Sequence, residues 1–121
     1  MKLRIHGNAL RLRLTRSEVD RFAEQGRIED AIEFAPNVRF TYSLERSTDA
    51  RSPQAIYRDG ALRVQIPRAE ADDWVGTDRV GISGGDRISI AVEKDFKCMH
   101  DERAEDADAY PNPLETAAKM E

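Results

Sequence analysis

Hydrophobic and charged side chains alternate along the first part of the chain. Residues 2–5 and 9–14 carry Leu or Ile at every second position, with Lys or Arg between them. A period of two is typical of a β-strand that buries one face. Gly7-Asn8 lies between the two runs and suits a two-residue hairpin turn. The pattern therefore predicts a β-hairpin at the start of the chain.

The register of this hairpin brings like charges together. A loop at Gly7-Asn8 puts Arg4 opposite Arg11 and Lys2 opposite Arg13, with every Leu and Ile on the other face. Because like charges directly opposite each other destabilise a sheet, the cationic face needs a negative counterpart. That counterpart is either a bound anion or the carboxylates of neighbouring strands in an ordinary solvated face. The candidate carboxylates are Glu29, Glu33, Glu45 and Glu93.

Two helices are predicted from their end signals and apolar spacing. Thr15 and Glu18 form a capping box, and Gly26 is a natural stop, which together predict a helix over residues 16–25. Its narrow apolar stripe indicates that one side packs on a sheet. A short second helix is expected over residues 68–75.

Two hairpins are predicted in the middle of the chain. A three-residue loop at 36–38 pairs Phe34 with Phe40 and keeps one face apolar. Asp59-Gly60 is a strong signal for a two-residue hairpin turn. The strands that flank it also have their apolar residues on a single face.

The last hairpin can be drawn in two registers. A two-residue loop at Gly84-Gly85 would put Ile82 beside Arg87. A three-residue loop at 84–86 instead pairs Ile82 with Ile88. The second register is predicted because it keeps one face of the sheet apolar.

These elements predict a single α+β domain built on an antiparallel sheet of about six to eight strands. We expect the sheet to be strongly curved or partly barrel-like, and we expect no internal repeat. The domain is assigned to residues 1–100. Residues 101–121 are expected to form an acidic C-terminal tail that packs on the domain or is partly disordered. Self-association through a strand edge is also expected, giving a homo-oligomer.

The cysteine count, the net charge and the length of the apolar runs restrict the classes of protein to which this chain can belong. The 121 residues include a single cysteine and carry a formal net charge of −4. A lone thiol cannot form an internal disulfide and fits a reducing compartment. Since no apolar run approaches the ~18 residues of a membrane span, we expect a cytoplasmic protein with no membrane contact. The net charge argues against a general polyanion binder, although residues 1–16 hold five cations and no acid.

A metal site is the main catalytic alternative. Cys98, His100 and Asp101 lie close together and are followed by further acidic residues up to position 108. Thiolate, imidazole and carboxylate are the ligands of zinc, so these residues could serve a small metal-dependent enzyme. The competing interpretation is that Cys98 continues the apolar phase of the last strand and is buried. The absence of a second Cys or a paired His in the sequence favours the competing interpretation.

A second catalytic pattern lacks the structural context that its chemistry requires. Residues 81–85 read Gly-Ile-Ser-Gly-Gly and match the G-x-S-x-G of a nucleophile elbow. That motif requires a turn from a strand into a helix, whereas Ser83 precedes a predicted strand. The glycines are therefore interpreted as hairpin residues, and no catalytic residue is assigned.

Residues 7–16, Gly-Asn-Ala-Leu-Arg-Leu-Arg-Leu-Thr-Arg, resemble a segment of swapped-hairpin antitoxin and transition-state-regulator domains. The resemblance covers roughly the first 20 residues and implies a dimeric DNA-binding protein. The residues that it implies as phosphate or base contacts are Arg4, Arg11, Arg13 and Arg16. The chain departs from that pattern at Thr15, where those domains usually have proline, and in the strands that follow.

Over its whole length the chain is similar to a group of short bacterial proteins known only as a domain of unknown function. The matching stretches are residues 2–19, 92–98 and 105–113. This resemblance is specific, but it implies no activity and no functional residues.

The sequence leads to hypotheses of different classes. The first is a non-catalytic binding or regulatory module whose cationic hairpin contacts nucleic acid, a phosphate-bearing ligand or an acidic segment such as residues 101–108. Its anion-binding residues are Lys2, Arg4, Arg11 and Arg13. The second is the metal-dependent enzyme, with zinc as its cofactor. The third is an assembly partner without a small ligand, in which the acidic tail docks on the basic hairpin of another chain.

Overall fold

A computed structural model describes residues 1–96, 108–111 and 113, and these residues include eight strands and two helices. The strands are β1 (Lys2–His6), β2 (Ala9–Leu14), β3 (Arg27–Ala35), β4 (Val38–Ser47), β5 (Gln54–Arg58), β6 (Ala61–Pro67), β7 (Gly81–Gly84) and β8 (Ser89–Lys94). The helices are α1 (Arg16–Gln25), between β2 and β3, and α2 (Arg68–Gly76), between β6 and β7. The α+β class and both helices are confirmed.

The strands form two four-stranded sheets. Sheet A has the order β1-β2-β8-β7, and sheet B has the order β3-β4-β6-β5. In each sheet, two antiparallel hairpins join through a parallel central pair, β2 with β8 in sheet A and β4 with β6 in sheet B. The antiparallel prediction is therefore only partly right. The sheets are neither closed nor curled, so the expected barrel-like shape is wrong. Hairpin signals report only neighbouring strands, whereas both parallel pairs join strands that are far apart in the sequence.

The two halves of the chain repeat the same order of elements. The first half has the order β1-β2-α1-β3-β4, and the second half has the order β5-β6-α2-β7-β8. When each strand is replaced by its counterpart in the other half, the β2–β8 pair becomes the β6–β4 pair, so the two halves have equivalent strand pairings. Residues 9–20 align with residues 61–72 at a spacing of 52, with six of the twelve positions identical. The expectation of no internal repeat is wrong. The spacing is 48 in the second hairpin of each half, as between Glu45 and Glu93, which hides the repeat from a search at one fixed period.

One hydrophobic core draws on both sheets and both helices. The alternating apolar residues of β2 and β6 are all buried on its side, in keeping with their period of two. Phe22 of α1 meets Trp74 of α2 edge to face, with ring centroids 6.0 Å apart. These two aromatic residues occupy equivalent positions in the repeat, and both are fully buried.

The first helix begins and ends as its sequence signals predict. The Thr15 side chain accepts a hydrogen bond from the backbone N–H of Glu18, and the Glu18 carboxylate accepts one from the backbone N–H of Thr15. Gly26 closes the helix in the left-handed conformation. The hairpin registers at Gly7-Asn8 and Asp59-Gly60 are also confirmed.

The middle hairpin differs from its predicted register. Ile32 rather than Phe34 pairs with Phe40, and the turn is the two-residue Pro36-Asn37. Asn37 adopts a φ of 65°, which Asn tolerates better than most residues and which permits this tighter turn. A β-bulge near the end of β3 absorbs the change of register.

The last hairpin also differs, for a similar reason. Ile82 pairs with Val92, and residues 85–88 form the loop. Gly85 has a φ of 104°, and the chain turns later, through a longer loop, than an apolar alternation alone suggests. Ile88, which the sequence placed on the apolar face, is instead an exposed loop residue.

Domain limits and the acidic tail remain predictions. The expected boundary at residue 100 and most of residues 101–121 lie outside the part of the chain that the structure describes. None of the helices in the described part is long and apolar enough to cross a membrane.

The tight turn at Gly85 provides a test of the last hairpin. We expect Gly85→Ala to lower the free energy of unfolding by about 2 kcal/mol or more, because a Cβ there would lie 1.9 Å from the carbonyl oxygen of Ile88. Urea unfolding measures the change. Gly76→Ala is the control, since no atom lies within 4 Å of a Cβ at that position. Equal stability of the two variants would contradict the observed loop.

Candidate anion-binding face

The cationic hairpin, defined by Lys2, Arg4, Arg11 and Arg13 on β1 and β2, lies on the outer face of sheet A. Arg4 is opposite Arg11 and Lys2 is opposite Arg13, as the sequence predicts. The leucines between them are directed into the core, which fixes the cationic side chains on the other face. The structure therefore brings all four predicted anion-binding residues together.

A carboxylate of the neighbouring strand supplies part of the negative counterpart. β8 pairs with β2 so that Glu93 lies beside Arg13. A Glu93 carboxylate oxygen is 3.1 Å from Nε of Arg11, and the other is 3.8 Å from Nη2 of Arg13. Asp95, just after β8, has an Oδ2 atom 3.6 Å from Nζ of Lys2. Of the four carboxylates considered from the sequence, Glu93 is the one that meets this hairpin.

Next to these ion pairs, the same face carries a shallow cavity of about 130 Å³. Its polar lining comes from Arg4, His6, Arg11 and Ser89, and two alanines, Ala9 and Ala91, form part of its wall. Small side chains beside two guanidinium groups leave room for an oxyanion. His6 and Ser89 were not predicted as site residues. Ser89 could not be found from the sequence without knowing that β2 and β8 are parallel neighbours.

The equivalent position of sheet B holds a different cluster around Glu45. Arg63 donates two hydrogen bonds to the Glu45 carboxylate, at 2.9 and 2.8 Å. Arg27 (3.2 Å), Gln65 (3.1 Å) and Ser43 (3.2 Å) each donate one more. The Glu45 residue is only 8% exposed, so these donors satisfy a buried carboxylate.

These contacts change the acidity of Glu45. Its pKa falls from an ordinary value of 4.5 to about 2, chiefly because of the hydrogen bonds from Arg63, and in spite of burial, which raises it. Gln65 and Arg27 contribute in the same direction. Glu45 is therefore a structural anion that remains charged at neutral pH.

The repeat makes the two clusters directly comparable. Glu45 and Glu93 are equivalent residues, and so are Arg63 and Arg11. On the outer face of sheet A, the four cations of the cationic hairpin meet Glu93 on β8 and Asp95 just after that strand. On the strands of sheet B, four guanidinium groups face three carboxylates. These are Arg27, Arg39, Arg58 and Arg63 with Glu29, Glu33 and Glu45. Sheet A thus has the larger excess of positive charge.

The predicted metal ligands cannot be placed. Cys98, His100 and Asp101 lie outside the described residues. Within the described part of the chain, no three His, Cys, Asp or Glu side chains gather where they could hold a metal ion. The zinc site remains a prediction from the sequence.

The Glu45 cluster gives a stability test with a defined pH dependence. Glu45→Gln removes a carboxylate whose pKa is lowered by folding, so we expect it to cost about 3 kcal/mol at neutral pH. The difference from the unaltered protein persists above about pH 4.5 and shrinks as the pH falls towards 2, where Glu45 itself becomes protonated. Chemical denaturation over a pH series measures it.

Glu93→Gln is the matched control for that experiment. It removes the equivalent carboxylate, whose ion pairs are partly exposed, and should cost about 1 kcal/mol or less. A cost for Glu45→Gln that is independent of pH, or that equals the cost of Glu93→Gln, would contradict the structural role of Glu45.

Comparison with known proteins identifies a family but not an activity. A family model described as a family of unknown function, DUF7009, matches residues 1–114. Neither the curated proteins nor the solved structures contain a match to the chain. The N-terminal resemblance to swapped-hairpin DNA-binding domains thus has no counterpart among these comparisons. Because the family match spans nearly the whole sequence, the chain belongs to the DUF7009 family of unknown function.

Proposed function

We propose that this protein is a non-catalytic binding or regulatory module whose cationic hairpin binds a phosphate-bearing ligand. The observation that supports the proposal most strongly is the uneven charge of two equivalent faces. On sheet A, the four cations meet the carboxylates of Glu93 and Asp95, whereas on the strands of sheet B four cations face three carboxylates. If both outer faces were ordinary solvated surfaces, both could have the nearly balanced charges of sheet B.

The shape of the face favours a compact oxyanion. Arg4 and Arg11 are direct cross-strand neighbours beside the shallow cavity, and Ser89 adds a hydroxyl group to its lining. Guanidinium groups bind phosphate through planar, paired hydrogen bonds, which are stronger than those between neutral groups. An anion seated between the two arginines would offset the repulsion that their register creates.

In this proposal, the Glu93 carboxylate competes with the bound anion for Arg11. The carboxylate interacts with Nε of Arg11, whereas a guanidinium group has five N–H donors in all. The ion pair therefore orients Arg11 without using all its donors. The same negative charge weakens the attraction for a second anion, which limits the affinity of the site.

Removing one arginine should weaken phosphate binding. We expect Arg11→Ala to lower the affinity for a nucleoside triphosphate by about 10- to 100-fold, the value of one charge-assisted contact, as measured by titration calorimetry. Arg58→Ala is the control because it removes the same charge from an 87% exposed side chain on sheet B. Equal losses in the two variants would show only a general charge effect and would contradict the site.

Removing the competing carboxylate should have the opposite effect. Glu93→Gln is expected to raise the affinity for the same nucleotide by several fold, because it keeps the shape of the side chain and deletes its charge. Asp59→Asn, on the turn that follows β5, is the charge-matched control and should leave the affinity unchanged. An unchanged or lower affinity of Glu93→Gln would remove Glu93 from the proposal.

A salt series separates the classes of partner. Inorganic phosphate, the nucleotide, duplex DNA and an acidic peptide with the sequence of residues 101–108 are titrated in parallel. Nucleic acid that engages several cations should show the steepest loss of affinity with salt. Tight DNA binding with no nucleotide binding would replace the proposed ligand with nucleic acid. Binding of the peptide alone would identify an acidic segment as the partner. If none of the four binds at low salt, the proposal fails.

A further inference from the structure

The hairpin of β3 and β4 extends beyond sheet B. β6 pairs with β4 from Thr41 onwards, whereas β3 continues to pair with β4 as far as Ala35 and Val38. The last part of this hairpin, residues 32–40, is therefore a two-stranded ribbon with no third strand beside it. Two-stranded ribbons alone are only marginally stable in water. The equivalent hairpin of β7 and β8 has no such extension.

Large apolar side chains of this ribbon are exposed. Ile32 is 50% exposed, Phe34 is 69% exposed and Val38 is 54% exposed. Ile32 is two residues from Asp30 and four from the buried Ile28, so it lies on the face of β3 that continues into the core. Apolar residues concentrated at one projecting element are typical of an interaction surface.

β3 also offers a free edge for pairing. It is the outermost strand of sheet B and is nine residues long, which exceeds the usual strand length of about five to six residues. A long edge strand presents a row of backbone N–H and C=O groups that can pair with another strand. No cover for this edge is found among the described residues, where β4 is its one strand neighbour.

We propose that this edge is a dimer interface at which β3 pairs antiparallel with β3 of a second copy of the chain. Among the twofold registers that pair at least five residues of β3, the charges select one. A dimer centred on residue 29, 30, 31 or 33 would put two acidic residues directly opposite each other, drawn from Glu29, Asp30 and Glu33. A dimer centred on Ile32 does not.

The register centred on Ile32 also has an apolar pair at its centre. It puts Ile32 opposite Ile32 of the second copy, and Glu33 opposite the small Ala31. Phe34 is then opposite Asp30, which already accepts a hydrogen bond from the N-terminal ammonium group of Met1 at 2.9 Å. The pairing joins the two copies of sheet B into one sheet of eight strands. It is independent of the proposed anion site, which lies on sheet A.

Sedimentation of the full chain over a concentration series tests the interface. We expect a dimer that Ile32→Glu dissociates, with a dissociation constant raised about tenfold or more, because two carboxylates then face each other at the centre. Val80→Glu is the control, since Val80 is similarly exposed at 55% and lies outside β3. A chain that stays monomeric throughout the series, or a dimer that both variants weaken equally, would overturn the proposal.

Cysteine cross-linking tests the register. In a Cys98→Ser background, Ile32→Cys should form a disulfide under mild oxidation, because opposed Cα atoms at the centre lie about 5 Å apart. Glu33→Cys should not, because its two copies are staggered and lie about 8 Å apart. Efficient cross-linking of Glu33→Cys, or none of Ile32→Cys in a protein that still dimerises, would show that the copies meet elsewhere.

Discussion

The parallel pairing of β2 with β8 is the contact on which the candidate site depends. It joins the first hairpin of the chain to the last, and it aligns Arg13 with Glu93. The apolar residues of both strands are buried in the same core, so a shift by one residue would turn every one of them outwards. Burial of one face therefore fixes the positions of the charges on the other. The charge pattern of sheet A is a consequence of the core.

The internal repeat allows the two halves of the chain to be compared with each other. The same carboxylate position is occupied in both halves, but its surroundings differ. Glu45 is nearly buried and receives five hydrogen bonds, which completes a structural cluster. Glu93 interacts with Arg11 and Arg13 through ion pairs and leaves an excess of positive charge on its sheet. The two halves thus share the same arrangement of strands and helices, but they differ in the balance of charge on their outer faces.

Local signals in the sequence predict much of this structure, but not the long-range contacts. The turn at Gly7-Asn8 and the capping box of Thr15 each depend on a few adjacent residues, and both are confirmed. The predicted registers of the hairpins at Asn37 and Gly85 are wrong, because a positive φ at a turn residue can tighten or lengthen a loop while the faces of the strands stay the same. The parallel strand pairs, and with them Ser89 and the Glu45 cluster, depend on contacts between distant segments. The four cations could be predicted as one group because a single hairpin contains them all.

The most direct test of the anion site on sheet A is an NMR titration that observes arginine side-chain and backbone signals while a nucleotide is added at low salt. We expect saturable shifts confined to β1, β2 and β8, with the Nε–Hε signal of Arg11 among the largest, and unchanged signals for Arg63 at the equivalent position of sheet B. Equal shifts on both sheets, or no shift at Arg11, would show that the excess charge of the cationic hairpin does not form a binding site.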